Sequence, residues 1–175
     1  KHRLPTTDSR VSGTNTICVT SEGDIVMIVS GATAGDLGTR NFFIFRYNSE
    51  GVLKSSGLLE QGNLGAYGTQ APQIIWANES HAIYRDGNSN ANLISLPQTG
   101  TFSSFTPIWS SQLPFGTLLG RYSVGKSIVD GNKIYITEGH SIYCDSYSTS
   151  LGHNRFLEIN KDTGDVITHT PSFVL

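Results

Sequence analysis

Short apolar runs alternate with turn-forming residues along almost the whole chain, and this punctuation limits the possible folds more than any other feature. Thr16–Thr20 leads into a Ser21-Glu22-Gly23-Asp24 turn, and Ile25–Val29 follows as an unbroken apolar run that suits a strand buried on both faces. A Gly-rich loop, Gly31–Thr39, precedes an aromatic strand, Asn41–Tyr47. Asn48-Ser49-Glu50-Gly51 turns that strand into Val52–Leu59. The order then recurs. Gln73–Ala77, His81–Arg85, Asn92–Leu96 and Thr101–Trp109 read as four strands, with the loop Asp86–Asn90 between the second and third. Lys126–Val129, Lys133–Thr137, Arg155–Ile159 and Asp165–Thr170 read as four more, with a long loop, Gly139–Asn154, at the equivalent place. The second strands begin at Asp24, His81 and Lys133. The phenylalanines and tryptophans of these runs (Phe42, Phe43, Phe45, Trp76, Trp109, Phe156) are spaced as core residues.

Composition agrees with a strand-built chain. Only 15% of the 175 residues are charged, against roughly 25% in ordinary globular domains. Ser, Thr, Asn and Gly take the place of the Glu, Lys and Ala that build solvent-facing helices. This argues against a helix bundle, a coiled coil or a doubly wound α/β enzyme. A net charge of −2 argues against nucleic acid or an anionic membrane as the main partner. No run of 18 apolar residues occurs, so no membrane-spanning helix is expected. The chain starts at Lys1 without a secretory leader, as expected of a cut from a longer polypeptide. Cys18 and Cys144 are too few for a disulfide framework and read as two small buried thiols.

Residues 1–13 read as an extended arm, and 14–175 as a single β-rich domain with units at about 14–60, 70–110 and 122–170. Each unit, four strands joined by tight turns with one longer loop between the second and third, resembles a β-propeller blade. Three blades cannot close a ring, so more chain or partner chains are expected. A β-sandwich or jelly roll is the alternative for the same strand spacing. Unclosed sheets expose edges, which makes a homo-oligomer the expectation under either architecture.

Two motif matches carry little chemistry. Gly120-Arg121-Tyr122-Ser123-Val124-Gly125-Lys126-Ser127 fits the phosphate-loop pattern, but an apolar run and a hairpin turn follow it instead of the helix whose amides would hold the phosphates. His140, Cys144, Asp145 and His153 are zinc-type donors, but their spacing is loose; they read as incidental loop residues, and no metal or cofactor is expected. Asn78-Glu79-Ser80 is a formal glycosylation sequon in a turn. No nucleophile elbow is present. Glu138 and Glu158 stand out as carboxylates within strands, and the pattern reads them as solvent-facing.

The loops are the better candidates for binding, because sugar recognition needs aromatic faces beside amides, hydroxyls and carboxylates. The third unit supplies His140, Tyr143, Asp145, Tyr147, His153 and Asn154. The first supplies Asp36 and Arg40, and the second Asp86, Asn88 and Asn90. If the units are equivalent, these residues line one rim of a rigid β scaffold. In its low charge, hydroxyl- and amide-rich surface and short strands, the chain resembles the C-terminal receptor-binding domains of bacteriophage tail fibres. That resemblance implies a trimeric, non-enzymatic module on the virion surface that binds a bacterial surface polysaccharide or protein with avidity. Two alternatives stand beside it. One is a fragment of a polysaccharide-degrading enzyme with paired carboxylates. The other is a structural propeller segment of a larger secreted protein, with an apolar face at each end.

Overall fold

The computed structural model describes residues 11–33, 36–63, 72–114, 120–142 and 155–169. These residues form thirteen β-strands and no helix. The strands are β1 (Val11–Val19), β2 (Ile25–Thr33), β3 (Asp36–Tyr47), β4 (Leu53–Asn63), β5 (Gln73–Ala77), β6 (His81–Arg85), β7 (Asn90–Ser95), β8 (Gly100–Phe102), β9 (Trp109–Gln112), β10 (Gly120–Asp130), β11 (Lys133–Ile142), β12 (Arg155–Asn160) and β13 (Val166–His169). They make three sheets, in the orders β1-β2-β3-β4-β8, β5-β6-β7-β9 and β10-β11-β12-β13. The fold is all-β, and the three sheets do not close into a ring.

Three differences from the sequence reading matter. The run Thr101–Trp109 is not one outer strand: Gly100–Phe102 joins the first sheet, parallel to β4, and the outer strand of the second sheet is Trp109–Gln112. Most of the expected loop Gly31–Thr39 is strand, because β2 and β3 continue pairing almost to their connection. β1 begins at Val11, inside the segment expected to be an arm, and β10 begins at Gly120. The phosphate-loop match is therefore strand throughout, paired with β11 and broken only by an irregularity between Val124 and Ser127.

The four-strand units arise from repeated local chemistry. In the turns at Thr20, Asn48 and Asp86 the first residue's N–H donates to the carbonyl four positions on, at 2.9 Å in each. The residue three positions after the first has a positive φ: Gly23 (84°), Gly51 (79°) and Ser89 (65°). This is a tight turn followed by a left-handed residue, which glycine adopts without strain and serine does not. Side chains at the turn starts also cap them. Asn48 Oδ1 accepts from Glu50 N–H and Val52 N–H, and Asn78 Oδ1 from Ser80 N–H and His81 N–H. Asn160 Oδ1 accepts from Asp162 N–H and Thr163 N–H. Asn is therefore placed where its amide oxygen replaces a backbone acceptor.

The sheets stack face to face with the second in the middle. Val26, Ile28, Phe42, Ile44 and Leu59 of the first pack on Ile74, Ala77, Ala82, Tyr84 and Ile94 of the second. From the second sheet's other face, Ile75, Ile83, Ala91 and Leu93 pack on Ile134, Ile136, Leu157 and Ile159 of the third. Alternation on β6 sends Ala82 and Tyr84 one way and Ile83 the other, so the strand is apolar on both faces. Burying each such Ile contributes about 1.5–3 kcal/mol. Phe42 and Phe45 are buried, and Trp76 and Trp109 pack partly buried against the second core, as expected of core aromatics. Cys18 is a free, half-buried thiol on the edge of the first core, and burial raises its pKa.

Polar contacts lace the turn ends of the sheets together. Arg46, 1% exposed, points from β3 toward the second sheet. Its Nε donates to Asp24 Oδ2 at 2.7 Å, and its Nη1 donates to the Glu79 carbonyl and, at 3.3 Å, to Gln98 Oε1. Lys54 Nζ also donates to Asp24 Oδ2, at 2.8 Å. Burial alone would raise the Asp24 carboxyl, but the Lys54 and Arg46 hydrogen bonds and charges outweigh it and hold it below its usual range. Ser21 Oγ and Glu22 N–H donate to Glu79 Oε1 at 2.8 and 3.0 Å. The Ser21 bond, Glu79's own N–H and the Glu22 N–H pull that carboxyl down to about 2. On the other side, Trp109 Nε1 donates to the Lys161 carbonyl at 3.0 Å, and Lys161 Nζ lies 5.0 Å from the centre of the Trp76 ring.

Asp24→Ala is expected to lower stability by about 3–5 kcal/mol, because it leaves the Arg46 charge buried without its carboxylate. Lys54→Ala, at a partly exposed position, is expected to cost about 1 kcal/mol or less. Urea unfolding of both variants checks this, and equal costs would contradict the assignment of Arg46 as the dependent charge.

Candidate functional site

Two hydrogen-bonded contacts show which sheet ends share a rim. Glu79 joins the β1–β2 and β5–β6 turns on one side. On the opposite side Gly87 N–H donates to Glu60 Oε1 at 3.3 Å, joining the β6–β7 turn to the end of β4. The second rim therefore receives the β6–β7 turn, the end of β2 and the start of β3. The end of β11 and the start of β12 also lie toward it, away from the Lys161 turn.

This rim is where the sequence placed its binding residues. Asp36 and Arg40 lie in β3 and His140 in β11, in strand and not in loop. Tyr143, Asp145, Tyr147, His153 and Asn154 lie outside the described residues, as does Cys144. Asp86, Asn88 and Asn90 do come together, around one carboxylate. Asp86 Oδ1 accepts from Asn88 N–H and Asn90 N–H, both at 2.8 Å. Asp86 Oδ2 accepts from Asn90 Nδ2 at 2.9 Å and Asn92 Nδ2 at 3.1 Å. Both oxygens are thus engaged within the turn, and what the turn presents outward is the exposed Asn88. Gln112 Nε2 braces the same turn from β9 through the Asn88 and Ser89 carbonyls.

Sequence reading missed the ionisable groups beneath this turn. Glu60 pairs across β3–β4 with Phe42, so its side chain faces the second sheet, from which Tyr84 faces back. Burial, then the charge of Asp86, pushes the Glu60 carboxyl up to about 7; the Gly87 N–H and the Arg85 charge oppose them. Burial, with the charges of Glu60 and Asp86, raises the Tyr84 hydroxyl. A carboxyl that titrates near neutrality beside a second carboxyl is a pairing used in proton transfer. In the sequence Glu60 stands only as the residue after Leu58-Leu59 and before the polar Gln61-Gly62-Asn63, with nothing local to mark it. Glu158, by contrast, was singled out and lies on the outer face of the third sheet. There Lys133 Nζ at 2.7 Å, with further help from His169, lowers its pKa against the opposing effect of partial burial.

No family model matches the chain, and no curated protein matches it. Among solved structures it is similar to the crystal structure of a protein of unknown function from Bacteroides caccae, at 13% identity and a TM-score of 0.46. The match covers 90% of this chain and 60% of that one, so the chain spans about three-fifths of that protein's crystallised length.

Because the Glu60 pKa is raised from an ordinary 4.5 to about 7, the folded state holds a proton that the unfolded chain releases between those values. Stability from this group is therefore full below about pH 4.5, falls as pH rises to about 7 and is flat above. Glu60→Gln is expected to be more stable than the parent at pH 8 and no more stable at pH 4. Thermal unfolding at both pH values measures it, and a pH-independent difference would contradict the burial of the carboxyl.

Proposed function

We propose that the chain is three consecutive blades of a propeller-type ring, acting as a non-enzymatic recognition module whose loop rim binds a bacterial surface glycan or protein. The observation that carries this reading is the division between the rims. One is stitched by Arg46, Glu79 and the Asn-capped turns. The other gathers the Asp86 turn and the connecting ends of the longer loops. Binding sites favour loops held by a rigid scaffold, and a low-charge surface rich in amides and hydroxyls suits uncharged hydroxylated ligands. The middle sheet, covered on both faces by its neighbours, supports the blade reading. Placement on an extracellular or virion surface, as in tail-fibre receptor-binding domains, belongs to the same proposal.

A second reading is favoured by one observation, the Glu60 carboxyl near neutrality beside Asp86. In it the pair supplies acid and base for cleaving a polysaccharide, with Glu60 protonating the leaving oxygen.

Adsorption to immobilised bacterial surface polysaccharide and to whole cells separates the readings. Asn88→Arg, at an exposed rim position, is expected to weaken adsorption about tenfold, equivalent to ~1.4 kcal/mol. Glu50→Arg on the opposite rim is expected to leave it unchanged. Equal effects, or adsorption to neither surface, would overturn the recognition reading. Release of reducing ends, abolished by Glu60→Gln, would establish the enzymatic one.

A further inference from the structure

Glu60 faces the second sheet only because β4 carries one extra residue. Leu58 is paired with Phe43 and Glu60 with Phe42, so Leu59 between them has no opposite residue on β3. This is a β-bulge, which interrupts the alternation of side chains and re-aims one of them. Phe42 and Ile44 face the second sheet, so Phe43 and its opposite residue Leu58 face away. Strict alternation would send Glu60 outward with Leu58. The bulge instead sets Leu59 and Glu60 on one side, Leu59 in the first core and Glu60 under the β6–β7 turn.

A carboxyl aimed this way meets several charges and one amide. From the second sheet Asp86, Arg85 and Tyr84 act on it. On β3 the register puts Arg40 opposite Gly62, two positions further along β4. Gly87 N–H donates to Glu60 Oε1 at 3.3 Å, so the carboxyl is also where the turn is tied to the first sheet. A protonated carboxyl fits this space, because its carbonyl oxygen still accepts that bond and it brings no charge that needs hydration. An ionised one gains from Gly87 N–H and Arg85 but loses more to burial and to Asp86. Glu60 is half-buried, and only Gln61, Gly62 and Asn63 of β4 lie beyond it, so a change of rotamer brings the side chain to water. The turn keeps its own fold without Glu60. Asp86 still holds the Asn88 and Asn90 amides, and Gln112 still braces the turn from β9.

We infer that Glu60 is a proton-controlled catch between β4 and the β6–β7 turn: protonated, it stays between the sheets and holds Gly87; ionised, it swings to solvent and frees the turn that carries Asn88. The catch is closed in mild acid and open in mild base, with the change centred at about pH 7, where Glu60 titrates. Release of the turn follows from the bulge and the groups around the carboxyl. A pH-dependent grip on a ligand rests in addition on the recognition reading above.

Amide hydrogen exchange at Gly87 tests the catch without any ligand. After correction for the intrinsic pH dependence of exchange, protection is expected to fall about tenfold between pH 6 and pH 8. Glu60→Gln keeps the acceptor oxygen and cannot ionise, so its protection is expected to be the same at both pH values. Equal protection in the parent at the two pH values would overturn the inference, and that comparison needs no variant. An equal fall in Glu60→Gln would overturn it as well, since another group would then be responsible. Adsorption to immobilised bacterial surface polysaccharide and to whole cells at the same two pH values tests the consequence. A change in the parent that Glu60→Gln lacks supports the catch and the recognition reading together. Protection that switches with no adsorption at either pH leaves the catch standing and overturns the recognition reading. Protection that switches with unchanged adsorption overturns the coupling between them.

Discussion

A guanidinium enclosed between two sheets would cost several kcal/mol if left without a partner, and Arg46 is enclosed to 99%. Asp24, fixed at the end of the β1–β2 turn, supplies the charge, and the Glu79 carbonyl and Gln98 side chain supply the remaining acceptors. Those partners come from both sheets. The pairing therefore does more than neutralise a charge: it sets how the first sheet sits on the second. A rotation that kept the apolar contacts but moved the β5–β6 turn away would strand the Arg46 Nη1 donor. Hydrophobic contact alone carries no such directional demand.

Side-chain hydrogen bonds are concentrated where the turns are short, at Asn48, Asn78 and Asn160. The Asp86 turn is equally self-sufficient but leaves Asn88 outside it. Below it Glu60, Tyr84, Arg85 and Asp86 hold mixed charge in a low-dielectric space, where one carboxyl stays protonated to about pH 7. Burial weakens the hydration of the Glu60 carboxylate, and the neighbouring Asp86 adds to that penalty.

The strap through β8 is the least blade-like element. After β7 the chain crosses to the first sheet, pairs with β4 in parallel and returns as β9. Gly57 makes this crossing possible, because a Cβ there would lie 2.5 Å from the Phe105 ring. The strap lays Phe105 over the backbone of β4 and joins the first two sheets covalently as well as by packing.

Most strand and turn positions were legible in the sequence, because they follow from local periodicity and from Asn, Asp and Gly at turns. Ile25–Val29, His81–Arg85 and Lys133–Thr137 are strands for that reason. Two-sided burial was not, since it was expected of Ile25–Val29, where Ile25 and Met27 are only half-buried, and is found in His81–Arg85. Sheet membership was not legible. Gly100–Phe102 and Trp109–Gln112 lie on one run that mixes Ser and Thr with aromatics, and only the space beside β4 and β7 decides that they belong to different sheets. Asp86, Asn88 and Asn90 are visible in the sequence as neighbours at one turn, but Glu60 reaches that turn from 26 positions away. Its pKa depends on burial and on a neighbouring charge, which exist only once two sheets are stacked. Local pattern determined the strands; long-range packing decided which faces meet and which charges are enclosed.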